Sequence, residues 1–276
     1  MSIVRGPGAG RPAPGPFDVL AASNGGPSLL SLRQVRDLLP VLMRVDSVDL
    51  RLVVPDEGRL PAVRALALDP LDARIRQVFF CDTPDLALSD LGLAVRARRT
   101  HRRTADCTVR RVPLEPDEVP LELRHAPAFS TEVDVLPGGF VCAGALHTDV
   151  ADDLVLAVHR GHAPVRKLLS AAQQEFYAAA VPAGPGLDDL TVLGPVTVLK
   201  LKARLPELDR PLVAEQWLFP DGSRTLELST RCAPEEAFAV AAEVKTCLAG
   251  RGVELTGEQD RRTRRAMASF AAVVRG

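Results

Sequence analysis

Charged residues recur at every second position in a set of short stretches, and their types suit the handling of an anion. Val95 and Ala97 alternate with Arg96 and Arg98. Cys107 and Val109 alternate with Thr108 and Arg110. Thr131, Val133 and Val135 alternate with Ser130, Glu132 and Asp134. Leu199, Leu201 and Ala203 alternate with Lys200, Lys202 and Arg204. The same period runs through Val48–Leu52, Ala214–Leu218 and Leu226–Arg231, where Asp49, Arg51, Glu215, Glu227 and Arg231 hold the polar phase. Period two is the signature of strands with unlike faces. A single strand of this kind belongs to a sheet with one wet face. Seven of them, with helices available to cover the apolar faces from outside, admit a sheet curled with its charged face inward. Isolated buried charges are costly, so such a lumen has to be hydrated or filled by ions and ligand. Only four of the 34 basic residues are lysines, and two of these, Lys200 and Lys202, share one strand face. A compact ammonium there suits a phosphate-binding point charge.

The elements that must position these residues are read from the same pattern. Residues 1–28 hold six Gly and five Pro and read as a disordered leader. A short helix follows from Ser28 or Ser31 to Leu39, capped by Ser, with Leu29, Leu32, Val35 and Leu39 on one side. Further helices are expected near Pro61–Leu68, over Asp152–Arg160, Pro164–Ala180 and Pro234–Ala249, and as a basic amphipathic segment over Glu258–Val274. The expected organisation is a leader (1–28), a helix and connection (29–44), and one domain over 45–276 interrupted by a helical insertion at about 150–187.

Composition bounds the function. The 276 residues carry 34 Lys+Arg against 35 Asp+Glu, a formal charge of −1, which argues against a dedicated nucleic-acid coat protein. Clusters such as Arg98–Arg103 and Arg261–Arg265 lack aromatic partners and read as solvated surface. No uncharged apolar run reaches the roughly 18 residues of a membrane span, and no signal-peptide core is evident. Five scattered cysteines without a C-x-x-C pair read as reduced thiols of a cytoplasmic protein. His159-Arg160-Gly161-His162 lacks a third ligand, and His101, His125 and His147 fit neither a zinc site nor a triad.

Several segments, taken in order, resemble the CYTH family of triphosphate tunnel metalloenzymes over about residues 45–272. Val48-Asp49-Leu50-Arg51-Leu52-Val53 stands where that family has its E-x-E-x-K strand. Gln77–Pro84 is similar to its aromatic-x-D-T strand and turn, and Gly92–Arg98 to its G-x-x-L-R-x-R strand. Thr108-Val109-Arg110 resembles its T-x-K, and Glu132-Val133-Asp134 its E-x-E/D strand. Glu215 and Leu226–Arg231 resemble the late acidic and basic strands. The resemblance implies an α+β fold: an eight-stranded antiparallel β-barrel with helices packed outside, gripping a triphosphate with Mg²⁺ or Mn²⁺. It implies phosphate binding by Arg51, Arg96, Arg98, Arg110, Lys200, Lys202, Arg204 and Arg231. It implies metal binding by Asp49, Glu132, Asp134, Glu215 and Glu227, with Glu132 and Glu227 catalytic. The expected partner is a small-molecule triphosphate or polyphosphate. The opening motif departs from the pattern, because Ser47 replaces its first carboxylate and Asp49 shortens its second. Asp46 cannot substitute, since an odd offset puts it on the opposite face. Metal-dependent triphosphate hydrolysis, binding without hydrolysis, and cyclase chemistry all stay open, though no residues point to a purine pocket.

Overall fold

The computed structural model describes residues 30–115 and 119–253, together with Met267 and Phe270. The expected leader and most of the expected helix over 258–274 lie outside the described residues. Nine strands close into a barrel: β1 (Ser47–Val54), β2 (Arg74–Asp82), β3 (Leu93–Thr100), β4 (Ala105–Arg111), β5 (Phe129–Leu136), β6 (Gly139–Val150), β7 (Thr191–Ala203), β8 (Leu212–Leu218) and β9 (Arg224–Cys232). Their order around the ring is β1-β5-β6-β4-β3-β2-β7-β8-β9.

Two features correct the eight-stranded antiparallel expectation. The strand announced neither by alternation nor by the family resemblance is β6. Its lumen face carries Ala143 and Ala145 opposite Glu132 and Ser130, so neither face is plainly polar. Small residues there leave room for the long side chains of Glu132 and Arg110 on the two neighbouring strands. An odd ring also cannot alternate direction throughout, and the mismatch falls at β1–β5, which pair in parallel. Asp46 fastens this junction from outside, its Oδ2 accepting from the Thr131 backbone N–H (2.7 Å) and hydroxyl (2.9 Å).

Helices cover the outward apolar faces. On one side α1 (Leu32–Leu42), α2 (Asp56–Ala65) and α7 (Ala237–Gly250) bury Val48, Leu50, Leu52, Leu226 and Leu228 against Leu38, Ala62 and Val244. On the other, the short α3 (Ala87–Asp90) and α4 (Leu121–Arg124) join α5 (Asp152–His159) and α6 (Ala171–Ala180) over Val95, Cys107, Val109 and Leu146. Ser31 caps α1 through a capping box with Gln34. The buried face of α1 is Leu38 and Leu42, not the expected Leu32 and Leu39, which are about half exposed. The expected helix over 164–180 is a 3₁₀ turn, Val165–Leu168, and then α6, started afresh by a Ser170–Gln173 capping box. Gln173 is fully buried and donates to the Cys107 and Leu146 carbonyls, tying α6 to β4 and β6. Similarly, the stretch over 234–249 begins as a 3₁₀ turn, Pro234–Glu236, ahead of α7.

A third apolar cluster is formed by Val78, Phe80, Leu193, Val196, Val198 and Trp217, with Leu86, Phe219 and Met267 over it and Phe270 packed against it. A bulge opposite Val78 and Phe80 keeps Leu193 and Val196 on one face of β7. Gly194 makes this bulge with φ +145°, and a Cβ there would lie 2.9 Å from the Val78 carbonyl oxygen. The five cysteines are free thiols. No described helix is long and apolar enough to cross a membrane.

Candidate functional site

Strand alternation sends one phase of every strand into the lumen. Register then decides which side chains meet. Ser47 and Asp49 of β1 lie beside Glu132 and Asp134 of β5. Across the other edge of β1, Asp49 faces Arg231 and Arg51 faces Ser229. Carboxylate oxygens of Asp49, Glu132 and Asp134 consequently lie within 4.8 Å of one another.

Three arginines interleave with these acids. Arg110 donates from Nε to Glu132 (3.0 Å) and from Nη2 to Asp134 (2.7 Å). Arg231 Nη2 bridges Asp49 (3.0 Å) and Glu132 (2.5 Å). Arg51 Nη2 reaches Asp49 at 3.1 Å, and its Nε faces Asp134 Oδ1 at 3.1 Å without forming a hydrogen bond. Burial alone would push the Asp49 carboxyl up, but Arg51 and Arg231 together hold it below the ordinary carboxylate value. Burial likewise opposes the charge on Arg51, and Asp134, Glu227, Asp49 and Glu132 overcome it, holding the guanidinium more firmly protonated than usual.

The facing wall is basic. Arg96 and Arg98 of β3 stand opposite Thr108 and Asp106 of β4, and Arg98 Nε donates to both Asp106 oxygens at 2.9 and 3.1 Å. Glu215 of β8 lies opposite Lys200 of β7 and Glu227 of β9. It accepts from Arg76 Nη1 at 2.9 Å and has Lys200 Nζ at 3.7 Å. Burial and then neighbouring cations, Arg98 on Arg76 and Arg76 on Lys200, lower the proton affinity of both bases despite Glu215. Lys202 is exposed, two positions further along the same face, and Arg204 is exposed just past the end of β7.

Asp49, Glu132 and Asp134 therefore converge as one cluster, joined by Arg51, Arg110 and Arg231. Arg96, Arg98 and Lys200 line the other wall, and Glu215 and Glu227 form a second, separate acidic pair. Missing from the expected set are Arg76, Asp106 and His147. The period-two phase of Arg74, Arg76, Val78 and Phe80 carried a signal for Arg76. His147 Nδ1 lies 2.9 Å from the Thr108 hydroxyl, and burial, with Arg96 and Arg98, holds its imidazole below its ordinary 6.5. Asp82, of the aromatic-x-D-T segment, is a structural group. It accepts from the backbone N–H groups of Thr83, Leu88 and Ser89 and so starts α3.

The donor set fits a hard divalent cation such as Mg²⁺ or Mn²⁺. Three carboxylates meet within reach of one ion, and the buried Asp134 Oδ1 lacks a hydrogen bond.

No family profile and no curated protein matches this sequence. Solved structures share its fold. A putative adenylate cyclase from Bacillus halodurans matches with a TM-score of 0.54 at 13% identity, over 80% of this chain and 97% of its own. A putative adenylyl cyclase from Hippeastrum, with a dominant triphosphatase activity, gives 0.57 at 12% identity over 80% and 95%. The chain thus shares the closed-barrel fold of these structures, the fold that the resemblance of its strand motifs implies.

Proposed function

We propose that the lumen binds a triphosphate together with Mg²⁺ or Mn²⁺ and hydrolyses it. The observation that carries this reading is the convergence of Asp49, Glu132 and Asp134 inside a barrel whose opposite wall presents Arg76, Arg96, Arg98 and Lys200. Asp49, Glu132 and Asp134 would hold the cation, with Glu215 and Glu227 as a second acidic pair. A bound cation neutralises phosphoryl charge and lowers the pKa of a water.

The rest is work for the chain's own side chains. Arginine presents a planar fork that pairs bidentately with phosphate oxygens, and the lysine ammonium acts as a point charge. Arg96, Arg98 and Lys200 would position the chain of phosphates, with Lys202 and Arg204 outside as approach charges. An incoming triphosphate relieves the repulsion among the cations of that wall. It also competes for Arg110 and Arg231, freeing carboxylate oxygens as it enters. Phosphoryl transfer asks little more of a protein than positioning and charge stabilisation.

A second reading, binding without hydrolysis, is favoured by Ser47 in the position of an acid and by the three arginines occupying the acid cluster. Manganese-dependent phosphate release from tripolyphosphate separates the two. Hydrolysis predicts release by the wild type and a loss of about a hundredfold or more in Glu132→Gln, the scale of a removed electrostatic group in a preorganised site. Equal background release from both proteins, with triphosphate still raising the melting temperature, would leave only the binding reading.

A further inference from the structure

Three neighbouring strands carry their inward side chains in register. Arg96 of β3 lies beside Thr108 of β4, and Thr108 lies beside His147 of β6. Two residues further along, Arg98, Asp106 and Asp149 form the next row. Two strand spacings, about 10 Å, separate the Arg96 and His147 backbones, so one phosphate group can meet side chains from both. His147 shares its strand phase with Ala143 and Ala145, which face the lumen beside Glu132 and Ser130. It is a titratable group on the lumen face that the roles assigned above leave unused.

The ring has a specific partner. Its Nδ1 lies 2.9 Å from the hydroxyl of the buried Thr108, the one hydrogen bond to this ring among the described residues. A neutral imidazole whose Nδ1 accepts from that hydroxyl carries its proton on Nε2, and so keeps one donor for other partners. A second proton, taken from solvent, goes to Nδ1, which then donates to Thr108 Oγ1. The threonine hydroxyl is released to donate elsewhere. One proton thus turns a pair with one available donor into a pair with two, and adds a positive charge. Phosphate oxygens accept from such groups.

The charges that face this ring come from four strands: Arg96 and Arg98 of β3, Asp106 and Arg110 of β4, Glu132 of β5 and Asp149 of β6 itself. Two of the acids are already engaged, Asp106 by Arg98 and Glu132 by Arg110 and Arg231. Partial burial, and then Arg96 and Arg98, hold the imidazole below its ordinary 6.5. An anion seated on those two arginines cancels their effect and adds its own negative charge. Both changes favour the imidazolium.

We propose that His147, together with Thr108, is a phosphate ligand that becomes charged on binding. It takes up a proton as a phosphate chain settles against Arg96 and Arg98, so its share of the affinity grows as pH falls from about 8 to about 6. This rests on the phosphate-binding reading above and adds a proton to it. The sign follows from linkage: binding raises the proton affinity of the ring, so the gain is present at low pH and is lost as pH rises through the bound-state midpoint.

The test uses the full chain in EDTA with inorganic tripolyphosphate, so that neither metal nor turnover enters. His147 is followed by the NMR signal of its ring, identified as the histidine resonance absent from His147→Gln. Tripolyphosphate should raise its titration midpoint by about one pH unit. His125, His159 and His162, on or beside helices outside the barrel, should keep theirs. One unit corresponds to about tenfold in affinity. Calorimetry should therefore find that the ratio of wild-type to His147→Gln affinity is about tenfold larger at about pH 6 than at about pH 8. The ligand's own titration is common to both proteins and drops out of that comparison. A merely structural Thr108–His147 contact would give the same ratio at every pH. That result, or an unmoved midpoint with tripolyphosphate bound, overturns the inference and leaves phosphate binding intact. Absence of any melting shift with tripolyphosphate across this pH range removes the phosphate-binding reading, and the role of His147 with it.

Discussion

Two walls of one barrel use the same side chains to opposite effect. On the wall formed by β1, β5 and β9, three carboxylates interlock with Arg51, Arg231 and, reaching over from β4, Arg110, and the surrounding acids outweigh burial to hold Arg51 more firmly protonated than a free arginine. On the wall of β2, β3 and β7, Arg76 and Lys200 share Glu215 and are pushed to hold their protons less firmly. Charge on the first wall is matched from within, whereas the second carries more cation than its acids offset. An interlocked wall contributes to folding, and an overcharged wall holds binding free energy in reserve for an anion. Arginine in a lumen is therefore not by itself a sign of a ligand site; what separates the cases is which partners the register supplies.

The largest expected effect probes the interlocked wall. Replacing Arg110 with Met leaves Glu132 and Asp134 buried with one partner fewer. Breaking a buried pair costs about 3–5 kcal/mol. Arg51 and Arg231 remain nearby and Arg110 keeps a fifth of its side chain in contact with water, so about 2–3 kcal/mol is expected without ligand. At roughly 2–4 °C per kcal/mol for a chain of this size, thermal melting should fall by several degrees. An unchanged melting temperature would mean that this wall, too, is built for a ligand.

That contrast was only half legible in the sequence. The alternation of Arg96–Arg98, Glu132–Asp134 and Lys200–Lys202 exposed the inward phase, because a hydrated lumen demands polar residues at every second position. The choice of partners stayed hidden. Arg110 meets Glu132 and Asp134 across β6, a strand whose small lumen residues erase the alternation that would announce it. Asp49 meets Arg231 from the far end of the sequence only because the ring closes. Ser47's departure from the motif was plain, but not that three arginines already pair with Asp49, Glu132 and Asp134.

On the overcharged wall, Lys200→Met should do the reverse of Arg110→Met. Glu215 keeps its 2.9 Å contact with Arg76, so the unliganded protein loses little stability. Removing a cation from a crowded group even relieves repulsion. Triphosphate affinity, read by calorimetry, should fall by about tenfold, the equivalent of one charged contact of about 1.4 kcal/mol. A protein destabilised as much as Arg110→Met, with affinity unchanged, would erase the distinction between the walls.

A smaller effect appears in the acid limb of stability. Asp49 holds its proton less tightly when folded than its ordinary value of 3.8. Its contribution is therefore fully present above that value and is lost as pH falls through the lower folded one. Asp49→Asn should flatten the melting-temperature profile below about pH 4 relative to wild type and leave its shape near neutrality unchanged. A profile indistinguishable from wild type in acid would mean that Arg51 and Arg231 do not hold this carboxylate.

The finest probe is Ser47→Glu, which restores the missing acid beside Glu132. In the interlocked wall the three arginines are already matched by Asp49, Glu132 and Asp134. A fourth carboxylate lacks a spare cation among the described residues and should lower unliganded stability slightly, by about 1 kcal/mol or less, since Ser47 is only half-buried and water screens the added charge. A divalent ion would supply the absent positive charge, so manganese should stabilise this variant more than the wild type. Phosphate release should rise with it if the departed acid limits turnover. Should Ser47→Glu instead raise the metal-free melting temperature, the wall would hold unmatched positive charge, and the arginines there would belong with those across the lumen as anion ligands.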